Sequence, residues 1–378
     1  MMLEHNVWHV SNYIAEIEGE YAEDDPLTLA ECAKVAEECL TKRLSAVFLC
    51  MGNINETGAH EVVKQIDEHF LKQARPLQFE EIPKLRSLKM PKKEEAVRMF
   101  GSEVQDAKIP LVLEEVAYSE SEENHAVEII LQAGAEHELG YEGVAVLELI
   151  GQIAYNSAYN QLRTKEQLGY IVSAFTRKTS GSAMGLSILV QSSTTKPVEL
   201  EERCEAWLET FREELEAMPA SDIAKEAAAV VAQLLERNMR FSDEVATAWG
   251  SIVSTSNIGS IYNKPPFERH QLLADVLTTE GIDLEEVMGE GEVPPVENKK
   301  RKTPEELKEH VLALWDTYFA VDASERRAIS ARVYGHKAKD DYEANLGKPG
   351  YLSSYDEIRQ VKQFLAQWPT APFWIEKS

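Results

Sequence analysis

The sequence predicts an α+β fold with a largely antiparallel sheet packed by helices. Two apolar runs, residues 110–116 and 126–131, are separated by a polar turn, as in a hairpin or meander. Two more strand-like runs follow a long helical pattern, at residues 170–175 and 186–191. The second half then has mainly helical spacing of its apolar residues. Strands in blocks followed by helices are typical of this class.

The first 75 residues predict mostly helices. Residues 4–21, 28–41 and 56–71 have helical spacing of apolar side chains, and the second begins with T-L-A-E, which has the form of a capping box. Residues 46–50 are a short apolar run that predicts one buried strand. Because one strand cannot make a sheet, this segment is interpreted as the incomplete end of a larger α/β domain.

A length of 378 residues suggests about two domains. We predict a connector at residues 76–105, which has three prolines near its start and no clear period. A complete domain is expected at residues 106–370, and residues 371–378 are expected to be a tail.

The remaining elements of the larger domain follow from periodicity and capping residues. Thr303 as N-cap and Pro304 at the first helical position predict one helix start. The other predicted features are helices at residues 198–238 that break near Pro219, a helix at 242–253, an irregular stretch at 281–302, a helix to about 319, a strand at 327–334 and a closing helix at 355–368.

The composition excludes several function classes. The formal net charge of −26 predicts no nucleic acid and no membrane as partners, since both attract clustered Lys and Arg. Cys32, Cys39, Cys50 and Cys204 lack metal-ligand spacing and are predicted to be free thiols in a reducing, cytoplasmic compartment. The first residues lack the basic and apolar regions of a signal peptide.

The stretch Asn160–Val172 is the most informative part of the chain. It reads N-Q-L-R-T-K-E-Q-L-G-Y-I-V and joins the long helix to a strand. Gly169 is predicted to be the C′ residue of the helix with φ > 0. Arg163 would then lie near the helix end and Tyr170 at the start of the strand, so that both face one substrate group.

This stretch closely resembles the same junction in the insulysin branch of the M16 zinc metallopeptidases. The motif A-V-D-A-S-E-R-R-A-I-S-A-R-V-Y-G, which ends at Gly335, resembles the last helix–strand unit of that branch. The resemblance implies an M16-type (LuxS/metallohydrolase-like) domain preceded by the tail of a second one. It also implies that Arg163 and Tyr170 act on peptide substrates as catalytic residues, reaching across a chamber to a zinc site in the first domain.

The metal motif of these peptidases, H-x-x-E-H, has no intact copy here. Residues 65–69 read Q-I-D-E-H, with Gln in place of the first His ligand. We therefore predict that this chain has no metal site and that zinc belongs to the N-terminal catalytic half of the enzyme. The basic run at residues 299–302 is interpreted as a solvated loop, with a localisation signal or an anion patch as the alternative.

Three hypotheses remain open from the sequence. The first is a C-terminal half of an insulysin-like metalloendopeptidase, either as a fragment or as one subunit of a split enzyme. The second is a catalytically inactive scaffold or processing-complex subunit with the same fold. The third, a free-standing peptide-binding module, is disfavoured by the single strand of the first segment.

Overall fold

The structure is a computed structural model, and the residues that it describes fall into several ranges. They are residues 28–44, 52–72, 74–78, 87–179, 183–239, 266–282 and 301–368, with Met2, Leu3, Tyr13, Ile14, Ile17, Ala46, Phe48, Cys50 and Glu81.

Helices and strands alternate along these ranges. The helices are α1 (Leu29–Glu37), α2 (Glu56–Ile66), α3 (Lys93–Phe100), α4 (Glu136–Ala158), α5 (Pro197–Ala217), α6 (Ala220–Met239), α7 (Pro266–Leu277), α8 (Pro304–Tyr318), α9 (Lys339–Glu343) and α10 (Tyr355–Lys362). The strands are β1 (Arg43–Leu44), β2 (Arg75–Pro76), β3 (Val112–Val116), β4 (His125–Ala135), β5 (Ile171–Lys178), β6 (Ala183–Ser192), β7 (Arg327–Tyr334) and β8 (Tyr351–Leu352).

Strands β3 to β8 form one six-stranded sheet in the order β5-β6-β4-β7-β3-β8. Strand β4 is antiparallel to β6 and β7, and β5 is antiparallel to β6. Strand β3 is parallel to both β7 and β8, so the sheet is mixed. The α+β class is confirmed. The predicted hairpin of β3 with β4 is wrong, because β7, from the end of the domain, lies between them.

A large apolar core lies between one face of the sheet and helices α4 to α8. Its biggest buried side chains form a chain of aromatic contacts. The rings of Trp207 and Phe211 stack with centroids 5.1 Å apart, and Phe211 meets Trp315 edge-on at 4.9 Å. Phe319 meets Trp315 in the same way at 5.5 Å. Aromatic side chains bury about 150–250 Å² each, so these four residues contribute strongly to the packing of α5 against α8.

A second, smaller core covers part of the other face. It packs Leu88, Met90, Leu111, Ile130 and Ile329 beside strands β3, β4 and β7. Met90 is tied to the sheet, since its backbone N–H donates to the side-chain oxygen of Gln132 at 2.8 Å. The segment before α3 therefore packs directly against the sheet.

Strands β5 and β6 have a different environment on that second face. Ser173, Phe175, Leu189 and Gln191 are partly exposed, whereas the residues between them in each strand are mainly buried against the helices. We call these four residues the open face of the sheet.

The first two helices pack little of their apolar surface. Helices α1 and α2 have no buried residue in the structure. Strand β1 pairs in parallel with β2, so the prediction of a single strand in this part is wrong. Ala46, Phe48 and Cys50, in the predicted strand at residues 46–50, have no regular secondary structure.

Several other predictions can be compared with the structure. The capping box at Thr28 and the N-cap at Thr303 are confirmed, and Pro219 divides α5 from α6 as predicted. The closing helix is shorter than predicted, because α10 ends at Lys362. The helix at 242–253, the tail at 371–378 and most of residues 4–21 and 281–302 lie outside the described residues. No helix in the described ranges has the length and apolarity needed to cross a bilayer.

His125 at the start of β4 predicts a pH dependence of stability. Its Nδ1 accepts a hydrogen bond from the backbone N–H of Gly335 at 2.9 Å, which requires that nitrogen to be unprotonated. Burial lowers the pKa of His125 below 6.5, Lys196 lowers it further, and Asp341 opposes the shift. The unfolded chain therefore gains a proton on this histidine at a pH where the folded chain does not.

We expect the contribution of His125 to stability to be complete above about pH 6.5 and to decrease as the pH falls toward its lowered pKa. Urea unfolding of the natural chain and of His125→Gln at about pH 7.5 and about pH 5.5 measures this. The loss on acidification should be smaller in the variant. An equal loss in both proteins would show that His125 does not contribute.

Candidate functional site

The helix that leads to the candidate site ends in an unusual way. After Ala158, helix α4 continues as a π-helical segment, Tyr159–Lys165, and such segments are often found at functional sites. The backbone N–H of Leu168 donates to the carbonyl of Leu162 at 3.0 Å, six residues back, and both side chains are buried. This bond spans one residue more than the corresponding bond of a Schellman helix end, as the wider π-helical turn allows, and the residue before Leu168 has the left-handed conformation typical of such an end.

That left-handed residue is Gln167, with φ of 54°. The prediction that Gly169 has φ > 0 is therefore wrong, because the helix ends two residues earlier than Gly169 requires. The glycine is needed for a different reason. A Cβ at Gly169 would lie 1.8 Å from the carbonyl oxygen of Gln191 in β6. The chain can therefore pass this close to β6 only without a side chain, and Tyr170 follows immediately.

The structure brings the two predicted site residues together. The guanidinium carbon of Arg163 lies 4.9 Å from the ring centre of Tyr170. The side chain of Tyr170 is 83% exposed and is not part of the core. Tyr159, which the sequence predictions missed, lies 4.8 Å from the same guanidinium carbon. Its position four residues before Arg163, on the same helix face, is the signal that could have found it.

The guanidinium of Arg163 is free for a ligand. In the described part of the chain, no carboxylate lies within ion-pair distance of it. Glu166 is three residues away, but its carboxylate accepts from Nε of Arg203 at 2.6 Å and from the side-chain amide of Gln161 at 2.7 Å. The hydrogen bond from Arg203 lowers the pKa of Glu166. Glu166 is thus ionised but already paired, and Arg163 keeps its N–H donors in a chain of net charge −26.

A row of exposed tyrosines extends from this pair along helix α4. The rings of Tyr155 and Tyr159 lie 6.3 Å apart, and both side chains are exposed. Tyr155 also lines a cavity of about 280 Å³ that lies between α4, β5 and α6. The other lining residues are Glu148, Gly151, Gln152, Ala174, Phe175, Thr176, Val230, Gln233 and Leu234. The Arg163–Tyr170 pair and the cavity are therefore connected by one surface.

The residues present do not fit a zinc site. Within the described ranges, no group of three or more His, Cys, Asp or Glu side chains could hold a metal ion. In the degenerate motif at residues 65–69, the amide of Gln65 donates to Glu61 at 2.8 Å and His69 is exposed.

Lys302 of the basic run pairs with Glu142, with 2.5 Å between the charged atoms.

Comparison with known proteins gives consistent matches. The family model described as PQQ synthase PqqF-like, C-terminal lobe domain 4, matches residues 149–249. Insulin-degrading enzyme of Bos taurus is 26% identical over 344 residues, which cover 88% of this chain and 28% of that protein. Protease 3 of Escherichia coli K12 is 38% identical over 106 residues, or 28% of this chain and 11% of that protein.

Among solved structures, pitrilysin has a similar fold. Its TM-score is 0.54 at 20% sequence identity, and the alignment covers 84% of this chain and 27% of the pitrilysin chain. The chain thus spans about a quarter of the length of the bovine protein and of pitrilysin.

Proposed function

From homologues that are insulin-degrading enzyme and pitrilysin-like M16 peptidases, we propose that this chain is the C-terminal half of an insulysin-like metalloendopeptidase. In this proposal it forms a chamber wall and contributes contacts to the substrate and to the transition state. The N-terminal catalytic half is its partner and supplies the zinc. Peptides are the substrates, and the assembled enzyme acts in the cytoplasm.

The observation that carries the proposal is the unpaired Arg163 guanidinium beside the exposed Tyr170. The rings of Tyr159 and Tyr170 lie 4.8 and 4.9 Å from the guanidinium carbon, and among the described residues no carboxylate pairs with its N–H groups. We assign Arg163 to a carbonyl oxygen of the bound peptide. The phenol of Tyr170 then donates to the oxyanion that develops as the scissile carbonyl becomes tetrahedral, where a positioned donor is most effective.

The open face of the sheet supports the role of a chamber wall. It continues from Tyr170 along β5 and β6, and its four side chains combine two polar and two apolar groups of partial exposure. A wall with both polar and apolar side chains can contact peptides of many different sequences. The domain bounds predicted from the sequence, residues 1–75, 76–105 and 106–370, remain part of the proposal.

The direct test is peptide hydrolysis by the purified chain with and without an added half that contains H-x-x-E-H and bound zinc. We expect hydrolysis of a quenched fluorescent peptide by the mixture, and at most trace hydrolysis by either half alone. Mutation of the glutamate in the partner's H-x-x-E-H provides the matched inactive control. If the two halves bind each other and the mixture is no more active than the zinc half alone, the proposal is wrong.

The alternative, an inactive scaffold or processing-complex subunit, is favoured by the lack of a possible metal cluster in the described ranges. The two functions differ in one measurable property. A scaffold raises activity by stabilising its partner, so its effect does not depend on the hydroxyl of Tyr170. A chamber wall with catalytic residues requires that hydroxyl.

A further inference from the structure

We infer that strand β5 receives an extended peptide as an additional strand of the sheet. The cavity between α4, β5 and α6 then takes one of the peptide's side chains. This inference rests on the proposed function and specifies how the substrate is held. The peptide extends along β5 away from the Arg163–Tyr170 pair. The cavity prefers one kind of peptide side chain, at a defined distance from that pair.

The first support is the position of β5 at the edge of the sheet. Strand β5 is outermost in the sheet, and it pairs only with β6 among the residues that the structure describes. The six residues from Ile171 to Thr176 carry no charge and no proline. Natural edge strands usually have charged or proline residues that prevent pairing with another chain. The two charges of β5 are held within the fold, since Arg177 bonds to Glu128 and Lys178 to Glu136.

The second support is the place of the cavity beside this edge. Ala174, Phe175 and Thr176 of β5 line it, and α6 forms the opposite side. Helix α4 lies close below, because a Cβ on Gly151 would be 2.4 Å from Oγ1 of Thr176. A volume of about 280 Å³ suits one side chain rather than a whole ligand. Strand addition characteristically combines main-chain hydrogen bonds with pockets for alternate side chains.

The register follows from strand geometry. Successive side chains of a strand point to opposite faces, and each residue advances the chain by roughly 3.3 Å. A peptide residue opposite Ala174 or Thr176 faces the helices and the cavity, whereas one opposite Phe175 faces the open face of the sheet. Relative to the residue opposite Tyr170, the cavity therefore takes the fourth or the sixth residue, roughly 13–20 Å away, and never the fifth.

The lining determines which side chain fits. Val230 and Leu234 offer apolar contact, and Gln152 and Gln233 offer polar groups. Glu148 is the one formally charged residue of this lining, and it also takes part in an interaction within the chain. A long side chain with a basic end satisfies both parts, because its stem packs on apolar atoms while its charge lies near the carboxylate. An acidic side chain would be repelled.

The test measures binding of fluorescein-labelled ten-residue peptides to the purified full chain by anisotropy. One series is N-methylated at single backbone positions, which removes one main-chain donor at a time. We expect losses of affinity at alternate positions only, because only every second N–H of an added strand points to β5. A second series places Lys or Glu at positions four, five and six from the residue opposite Tyr170, in both chain directions.

In the second series, Lys should bind at least several-fold tighter than Glu at position four or six, and equally at position five. Glu148→Gln should abolish this discrimination. Gln233→Trp replaces an exposed residue and obstructs the cavity, so it should weaken the Lys peptides about tenfold, equivalent to 1.4 kcal/mol, and leave a glycine peptide unchanged.

Equal losses at every N-methyl position, or no loss at any, would overturn strand addition. A Lys preference at position five, or one that survives in Glu148→Gln, would overturn the assignment of the cavity. These results are independent of hydrolysis. If the peptides bind as described and the assembled halves remain inactive, the proposed function fails while the binding site stands.

Discussion

Replacing Tyr170 by Phe in the assembled peptidase is expected to lower kcat about 100-fold or more and to change KM little. In the proposed function, the phenol of Tyr170 donates to the oxyanion, which exists only as the transition state forms. Losing one such donor typically costs about 2.7–4 kcal/mol of transition-state stabilisation. An interaction made only in the transition state changes kcat and kcat/KM together.

The substitution is well suited to isolate the hydroxyl. Phe keeps an aromatic ring 4.9 Å from the guanidinium carbon of Arg163, so the stacking partner of the arginine is retained. Tyr170→Ala removes ring and hydroxyl together and should also raise KM, since Arg163 then loses one of its two ring contacts. Steady-state kinetics on the same fluorescent peptide measure both variants.

Tyr118 provides a matched control, because it is a fully exposed tyrosine in the turn after β3. Tyr118→Phe should leave both kinetic constants unchanged. Near-full activity of Tyr170→Phe in an assembly that contains equal amounts of both halves would exclude the transition-state role. It would leave the scaffold function as the better explanation of the homology.

The pairing of Arg163 with Tyr170 could be predicted because it depends on a short, contiguous stretch. A helix end, a turn and a strand start are local features, and only six residues lie between Arg163 and Tyr170 in the sequence. Tyr159 was missed because aromatic residues with helical spacing are usually part of a core. Its contact with Arg163 depends on the π-helical segment. The residue types in that segment do not predict a π-helix.

A glycine is required at position 169, but the structural reason differs from the one that the sequence predicts. The sequence indicates a glycine at the end of a helix, for which a left-handed φ is the usual explanation. The constraint comes instead from Gln191, a residue of another strand. Long-range approach of this kind cannot be predicted from neighbours in the sequence.

The strands of the main sheet other than β8 follow from apolar runs in the sequence, but their order does not. Residues 327–334 were predicted as a strand and form β7 within the same bounds. Their position between β3 and β4 depends on contacts between residues 195 to 218 positions apart in the sequence. The contacts between these strands include a group of buried polar residues, which an apolar pattern does not reveal.

Glu114 is the centre of this buried polar group, and Glu114→Ala is expected to destabilise the domain by about 3–5 kcal/mol, the range for breaking a buried ion pair. One oxygen of Glu114 accepts from Arg332 at 2.9 Å, from the hydroxyl of Tyr334 at 2.7 Å and from the amide of Asn345 at 3.1 Å. Arg332 also makes two hydrogen bonds of 2.9 Å to Glu201. Removing Glu114 leaves three buried donors without this acceptor.

Urea unfolding followed by circular dichroism measures the effect, and the surface pair of Glu123 with Lys337 provides the control. Both of those side chains are exposed, so Glu123→Ala should cost less than about 1 kcal/mol. If the free energy of unfolding of Glu114→Ala is within about 1 kcal/mol of that of the natural chain, the network contributes little to stability. Glu114 and Arg332 are direct partners in the parallel register of β3 and β7. A large loss of stability would therefore mean that this buried pair stabilises the pairing of β3 with β7. The apolar pattern of the sequence does not determine that pairing.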